Sequence, residues 1–316
     1  MTYLVTGGMG YIGCRVVRDL LNDGKEVVCF DVGGVTPQAR EVIGEENLGK
    51  VKMVQGDVGD TIQVFRAVQE YGVDIIIHHA FSMGPTRDLH PAAELRTNCN
   101  GMINMLEAVR LFGLKRVVWT SALASTGNRL RDYYKEPIGD DDALFMPDRI
   151  YGATKLLNEV MARLYFDRFG VDSIGLRIAR TFGYYKLETP FTEFNRKVAL
   201  NIPVELVEPD YFNNYIYVED CADAHVKACD VPTTKTRVFN LKEGTYTNRQ
   251  LLEAILRVNP EAKVTLVEGI SDGVPTPKTD ATGLETELKW KSKHSLDEAL
   301  REIYNYWRKK EGMPLL

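Results

Sequence analysis

The chain has 316 residues, 44% hydrophobic and 26% charged, a composition that fits a folded globular protein of one large domain plus a smaller lobe and excludes disorder. A formal net charge of −5 argues against an electrostatic grip on nucleic acid or an anionic membrane and leaves a small molecule as the expected partner. No apolar run reaches the ~18 residues of a membrane span, no basic leader precedes Thr2-Tyr3-Leu4-Val5-Thr6, and the five scattered cysteines make no CxxC pair, so a cytoplasmic, reducing setting is expected.

Short apolar runs at 2–6, 26–30, 51–55, 73–78, 115–119 and 172–178 predict strands, and amphipathic stretches around 11–23, 60–71, 92–112 and 149–169 predict helices between them. This alternation is the pattern of an α/β fold, a doubly wound parallel sheet covered by helices on both faces. After about residue 180 the rhythm breaks at Pro190, Pro203, Pro209, Pro232, Pro260, Pro275 and Pro277. The expected division is therefore a nucleotide-binding domain over 1–180, to which 214–232 returns, and a C-terminal substrate-binding lobe made of 181–213 and 233–316. Asp140-Asp141-Asp142 reads as a solvated loop.

The first strand meets the first helix through Thr6-Gly7-Gly8-Met9-Gly10-Tyr11-Ile12-Gly13. Glycine at 7, 10 and 13 permits a sharp turn and close approach of backbone to a pyrophosphate, which the unpaired N–H groups of a helix start would hold together with Tyr11 and Ile12. Packing alone can also require glycine in such a turn. The next strand ends at Asp31, eighteen residues after Gly13, where a carboxylate accepts both ribose hydroxyls and repels a 2′-phosphate. Strand, turn and carboxylate together make the sheet Rossmann-type and the cofactor NAD.

Further motifs extend this pattern: Gly56-Asp57-Val58, His78-His79-Ala80-Phe81, the Asn98–Ala108 stretch NCNGMINMLEA, Tyr151-Gly152-Ala153-Thr154-Lys155, Tyr215-Ile216-Tyr217-Val218-Glu219-Asp220 and Leu288-Lys289-Trp290. In this ordered set, which spans nearly the whole chain, the sequence resembles the extended short-chain dehydrogenase/reductases, the NAD-dependent epimerase/dehydratase family. The resemblance implies that Asp57 and Val58 lie at the adenine, and Ala80, Phe81, Ser82 and Asn98 toward the nicotinamide half. It also implies a homodimer through helices 92–112 and 149–169, whose apolar residues include Met102, Met105, Leu106, Val109, Leu156, Leu157 and Met161; burial against the sheet is the simpler account of them.

Tyr151 and Lys155 stand four apart in a helical stretch, so their side chains rise from one face. A tyrosine of ordinary pKa ~10 is protonated at neutral pH, and a nearby ammonium and a positive nicotinamide ring favour its phenolate, which can then take a hydroxyl proton as hydride leaves. The resemblance has Lys155 also anchor the nicotinamide ribose, and it calls for a Ser or Thr that orients the substrate oxygen. Aligned on Gly127, that place falls on Ala122 within Thr120-Ser121-Ala122-Leu123-Ala124-Ser125-Thr126. Three accounts stay open: a one-residue shift that brings in Ser121 or Ser125, an enzyme that works without this hydroxyl, or an alanine substituted for it to trap substrate.

The asparagine and arginine with which the family's nucleotide-sugar enzymes hold a diphosphate fall at Arg180 and Asn213, and the usual RxGD reads Ser271-Asp272-Gly273-Val274 and onward. These departures weaken a nucleotide-sugar substrate. Arg180 could hold a carboxylate or phosphate of a smaller one through its planar fork of donors, or make a structural ion pair. Met83, Thr86 and Arg87 follow the fourth strand and are candidates to line the same cleft, beside Ser82 and Ser125. His78 and His79 lack a second ligand cluster, so no metal is expected. The leading expectation is NAD-dependent hydride transfer at a secondary alcohol or carbonyl by an epimerase or dehydratase; a simple dehydrogenase of a hydroxy acid or alcohol, and an inactive nucleotide-binding regulator, are the alternatives.

Overall fold

A computed structural model of the chain describes residues 1–82, 90–127, 147, 149–185, 189–270 and 278–316. Among the described residues twelve strands are formed: β1 (Thr2–Thr6), β2 (Glu26–Asp31), β3 (Lys52–Gln55), β4 (Ile75–His78), β5 (Arg116–Ala122), β6 (Ser173–Ile178), β7 (Arg180–Phe182), β8 (Val204–Val207), β9 (Phe212–Tyr217), β10 (Val238–Leu241), β11 (Gly244–Thr247) and β12 (Val264–Val267). The seven-stranded sheet has the order β10-β6-β5-β4-β1-β2-β3 and is parallel throughout. It is the doubly wound Rossmann-type sheet that the alternation of runs predicts.

The period of two sorts its side chains onto two faces. Tyr3, Val5, Ile75, Ile77 and Val118 pack with the Gly13–Asn22 and Val218–Asp230 helices, while Leu4, Ile76, Val117 and Trp119 pack with the Thr61–Glu70, Gly101–Phe112 and Ile150–Phe169 helices. Burial of Met102, Met105, Leu106 and Val109 under the second face accounts for these residues without a partner chain. Leu157, by contrast, is exposed, and so are Val160 and Leu164 of the same helix.

The smaller lobe is built on a sheet of order β11-β9-β7, a β12-β8 pair, and the Pro190–Ala199, Asn248–Val258 and Leu296–Lys310 helices around a third core. The sequence reading gives all of 233–316 to this lobe, and the structure corrects it. Phe239 and Leu241 of β10 lie at the edge of the large sheet, and Leu284, Leu288 and Trp290 fill the same core, because their apolar surfaces find cover there while the Trp290 N–H donates to Asp223. Two buried polar knots tie the parts together. Glu219 pairs with Arg15 and Arg18, both at 2.6 Å, and Asp220 accepts from the Lys293 and His294 backbone N–H groups and from the Ser292 hydroxyl.

Candidate active site

The glycine turn is dictated by crowding. Gly7 has φ +65°, and a Cβ there would sit 2.8 Å from the Ala80 nitrogen. A Cβ on Gly13 would overlap the Gly7 carbonyl, so neither position admits alanine, whereas Gly10 is exposed and meets only that carbonyl. The Gly13–Asn22 helix that follows has no side-chain cap and no acid in its first turn, which leaves its positive end open to an anion. Ile12 packs between two cores, and half-buried Tyr11 lies with its ring 5.1 Å from the Arg15 guanidinium. The Asp31 carboxylate is steadied by the Met9 and Gly33 N–H groups, each at 3.2 Å.

Asp57 pairs with Arg96 at 2.8 Å and accepts the Gly59 N–H, while Val58 packs against Gly101. Two residues past Arg96, within a π-helical turn at Arg96–Asn100, Asn98 spends its amide on the Ser82 backbone, accepting its N–H at 2.6 Å and donating to its carbonyl at 3.2 Å. Asn98 thus holds the segment after β4 in place, and its own side chain is buried. π-Turns of this kind recur at functional sites.

The Ile150–Phe169 helix brings the phenol and the ammonium together. Lys155 is buried, donates to the Thr120 carbonyl at 2.8 Å, and lies 4.4 Å from the centre of the Phe81 ring and 5.7 Å from that of Tyr151. Phe81 and Tyr151 have ring centres 5.8 Å apart. Burial lowers the lysine from its ordinary 10.5 to about 8, with Cys99 and Glu159 opposing the drop. Gly152 must lack a side chain because a Cβ would stand 2.5 Å from the Ala124 carbonyl oxygen.

Ser121 and Ser125 are fully buried and donate to one oxygen of Glu159, at 2.5 and 2.8 Å, and Glu159 is paired with Arg177 at 2.9 Å. Thr126 donates to the Leu123 carbonyl. Both hydroxyls considered for the missing one are thus engaged by a buried carboxylate. Ala122, at the mouth of β5 opposite Ile178, keeps the place without a hydroxyl. Glu159 escaped the sequence reading although its spacing of four from Lys155 and eight from Tyr151 puts all three on one helix face.

On the other face of β5 the Thr120 hydroxyl bridges His79 Nδ1 at 2.7 Å and His225 Nε2 at 3.0 Å. His225 Nδ1 lies 2.7 Å from the Cys221 carbonyl, which can only accept, so Nδ1 carries the proton. Burial lowers this imidazole to about 4, hence it is neutral and its Nε2 accepts from Thr120. Thr120 then accepts from His79 Nδ1–H, which leaves His79 Nε2 bare and without a hydrogen-bond partner. His78 meets the Thr6 hydroxyl at 2.7 Å.

Of the substrate candidates, Arg180 opens β7, partly exposed, and Asn213 is buried in β9, donating to the Tyr211 hydroxyl at 3.2 Å. Asn213 thus spends an amide hydrogen within the lobe. Met83, Thr86 and Arg87 lie outside the described residues.

Residues 3–242 match the family model described as NAD dependent epimerase/dehydratase family. A UDP-glucose 4-epimerase of Lactobacillus helveticus is 28% identical over 98% of this chain and 97% of its own length. Two solved structures share the fold at TM-score 0.82: a UDP-glucose 4-epimerase from Stenotrophomonas maltophila with bound NAD and formylated UDP-arabinopyranose, 24% identical over 99% of both chains, and an L-threonine dehydrogenase from Clostridium difficile, 21% identical over 98% of both. With the glycine turn, the carboxylate at Asp31 and a family model that covers most of the sequence, the chain belongs to the NAD-dependent epimerase/dehydratase family of extended short-chain dehydrogenase/reductases.

Proposed function

We propose that this enzyme moves a hydride to or from a secondary carbinol carbon of a small polar substrate, with Tyr151 as proton shuttle and Lys155 as its electrostatic partner. The gathering of Phe81, Tyr151 and a buried Lys155 at the C-terminal ends of β4 and β5 carries this reading. NAD, when bound, supplies the hydride acceptor. The turn of Gly7, Gly10, Tyr11, Ile12 and Gly13 would hold its pyrophosphate, Asp31 its adenosine ribose, Asp57 and Val58 its adenine, and Ala80, Phe81, Ser82 and Lys155 its nicotinamide half, with Asn98 as a positioning residue behind Ser82. The fit rests on the uncapped helix start and on the exposed Gly10 beside it, where the backbone carries no side chain.

Within the site, the Lys155 ammonium stabilises Tyr151 as the phenolate, which takes the carbinol proton and becomes the neutral phenol as the hydride leaves. An epimerase or dehydratase keeps its nucleotide and regenerates it, whereas a dehydrogenase exchanges it. The resemblance to UDP-glucose 4-epimerases over nearly the whole chain favours the first, with a sugar or nucleotide sugar as substrate. Warming the purified enzyme and assaying released nucleotide tests this: about one retained NAD per chain is expected, and a freely exchanging cofactor refutes it. Tyr151→Phe should reduce hydride transfer by about 10²–10⁴; undiminished transfer refutes the role of the phenol, and no transfer by the parent enzyme over any sugar substrate favours the regulator.

Two further readings belong here. The exposed stripe of Leu157, Val160 and Leu164 on the Ile150–Phe169 helix supports a homodimer through that helix and Gly101–Phe112. All five cysteines are free and buried, which supports a reducing, cytoplasmic setting.

A further inference from the structure

One carboxylate beside the reaction site collects more donors than a plain ion pair needs. Glu159 Oε1 accepts from the Ser121 hydroxyl at 2.5 Å, the Ser125 hydroxyl at 2.8 Å and Arg177 Nε at 3.1 Å, and Oε2 accepts from Arg177 Nη2 at 2.9 Å. All four side chains are buried. The two serines stand on either side of Ala122, Ser121 within β5 and Ser125 within the Leu123–Thr126 turn that follows, so a single group on the Ile150–Phe169 helix grips both sides of the strand end. Thr120, the residue before Ser121, gives its carbonyl to the Lys155 ammonium at 2.8 Å. The grip of Glu159 thus fixes the neighbour of the acceptor that Lys155 uses.

The same carboxylate is a standing negative charge beside that ammonium. Glu159 lies four residues after Lys155, hence one turn away on the same helix face. The other groups around Lys155 carry no charge that could replace it: burial keeps Cys99 of the π-helical turn a thiol, and keeps His78 and His79 at the end of β4 and His225 of the Val218–Asp230 helix as neutral imidazoles. Arg177 of β6 is the partner of Glu159 itself. Of Cys99 and Glu159, the two groups that oppose the pull of burial on Lys155, only the carboxylate is charged at neutral pH.

We propose that Glu159 is the positioning residue of the Tyr151–Lys155 pair: its carboxylate locks the end of β5 and the turn after it onto the helix that carries both groups, and its charge keeps buried Lys155 an ammonium beside Tyr151. This rests on Tyr151 and Lys155 being the reacting pair.

Carbon-13 spectra of nucleotide-free enzyme labelled at the lysine Cε, with Lys155 assigned by its loss in Lys155→Met, read the charge of that residue against pH. The parent midpoint should lie near 8. Glu159→Gln keeps an oxygen for both serines but removes the charge, and the midpoint should fall by about 1 unit, as for an opposite charge removed from close range. Because that change leaves Arg177 buried without its anion, Glu159→Gln combined with Arg177→Met is measured beside it, and the midpoint should fall there too. Ser125→Ala alters no charge; it should leave the midpoint in place and quicken amide exchange in the Leu123–Thr126 turn by about tenfold, the loss of one hydrogen bond to a charged acceptor. A midpoint unmoved by both Glu159 variants, a parent midpoint at the ordinary 10.5, or a fall as large in Ser125→Ala overturns the electrostatic hold. Unchanged exchange in Ser125→Ala overturns the lock, and failure of both Glu159 variants to fold makes the residue purely structural and overturns the proposal. Neither readout uses nucleotide or substrate, so failure of the phenol's role shows separately, in the hydride transfer of Tyr151→Phe.

Discussion

Lys155 is poised against the fold, and replacing it with methionine should reveal by how much. The drop from 10.5 to about 8 that burial imposes corresponds to about 3 kcal/mol, borne in full at neutral pH, where the folded state must hold the buried ammonium. Between pH 8 and 10.5 the unfolded chain binds more protons than the folded one, so stability due to this residue rises with pH across that window and the penalty disappears above it. Lys155→Met keeps the length of the side chain and loses the hydrogen bond to the Thr120 carbonyl, a loss of about 1.5–3 kcal/mol for a charged donor. At pH 7 the two effects nearly offset, and the variant should be as stable as the parent or more so. At pH 10 the parent should have gained roughly 2–3 kcal/mol on the variant. Paired urea unfolding curves of the nucleotide-free proteins at pH 7, 8, 9 and 10 measure the difference, in which the titrating groups that Lys155 does not act on cancel. A difference constant to within about 0.5 kcal/mol over that range, less than the precision with which distant sites add, would refute the burial on which this argument stands. The same variant should lose hydride transfer, so a residue costly to the fold is retained for its chemistry.

Three other outcomes are expected. Ala122→Ser supplies an orienting hydroxyl at the mouth of β5, and kcat should rise by two to three orders of magnitude, about 10²–10³-fold for one donor; an unchanged kcat would mean that the substrate oxygen is oriented by another group. Nitrogen-15 shifts should find His79 and His225 both neutral at pH 7 with the proton on Nδ1, and an Nε2–H form of either would break the chain of donors through Thr120. Leu157→Glu should turn a sedimenting dimer into a monomer without loss of folding; a parent enzyme that sediments as a monomer ends the dimer reading.

What the sequence made legible is what periodicity and obligatory backbone geometry control. β1, β2 and the glycine turn were readable because a strand buried on both faces must be apolar and a crowded turn must be glycine, and the Tyr151–Lys155 spacing could be read because a helix fixes which residues share a face. The strand β10 was not legible: its four residues resemble lobe strands until the edge of the large sheet is available to receive them. Nor was the fate of Ser121 and Ser125, which depends on Glu159 and Arg177 arriving from two other elements. Hydroxyls near a reaction site look alike in sequence, and only their acceptors distinguish them.

The placement of the thiols has a practical consequence. Cys14, Cys29, Cys99, Cys221 and Cys229 are all buried within the large-sheet half, and none occurs after residue 229. A thiol-reactive dye therefore stays silent while that half is closed and reports each opening of it, blind to breathing of the lobe. The chain carries its own clock for the half that grips the nucleotide, and added NAD should slow it.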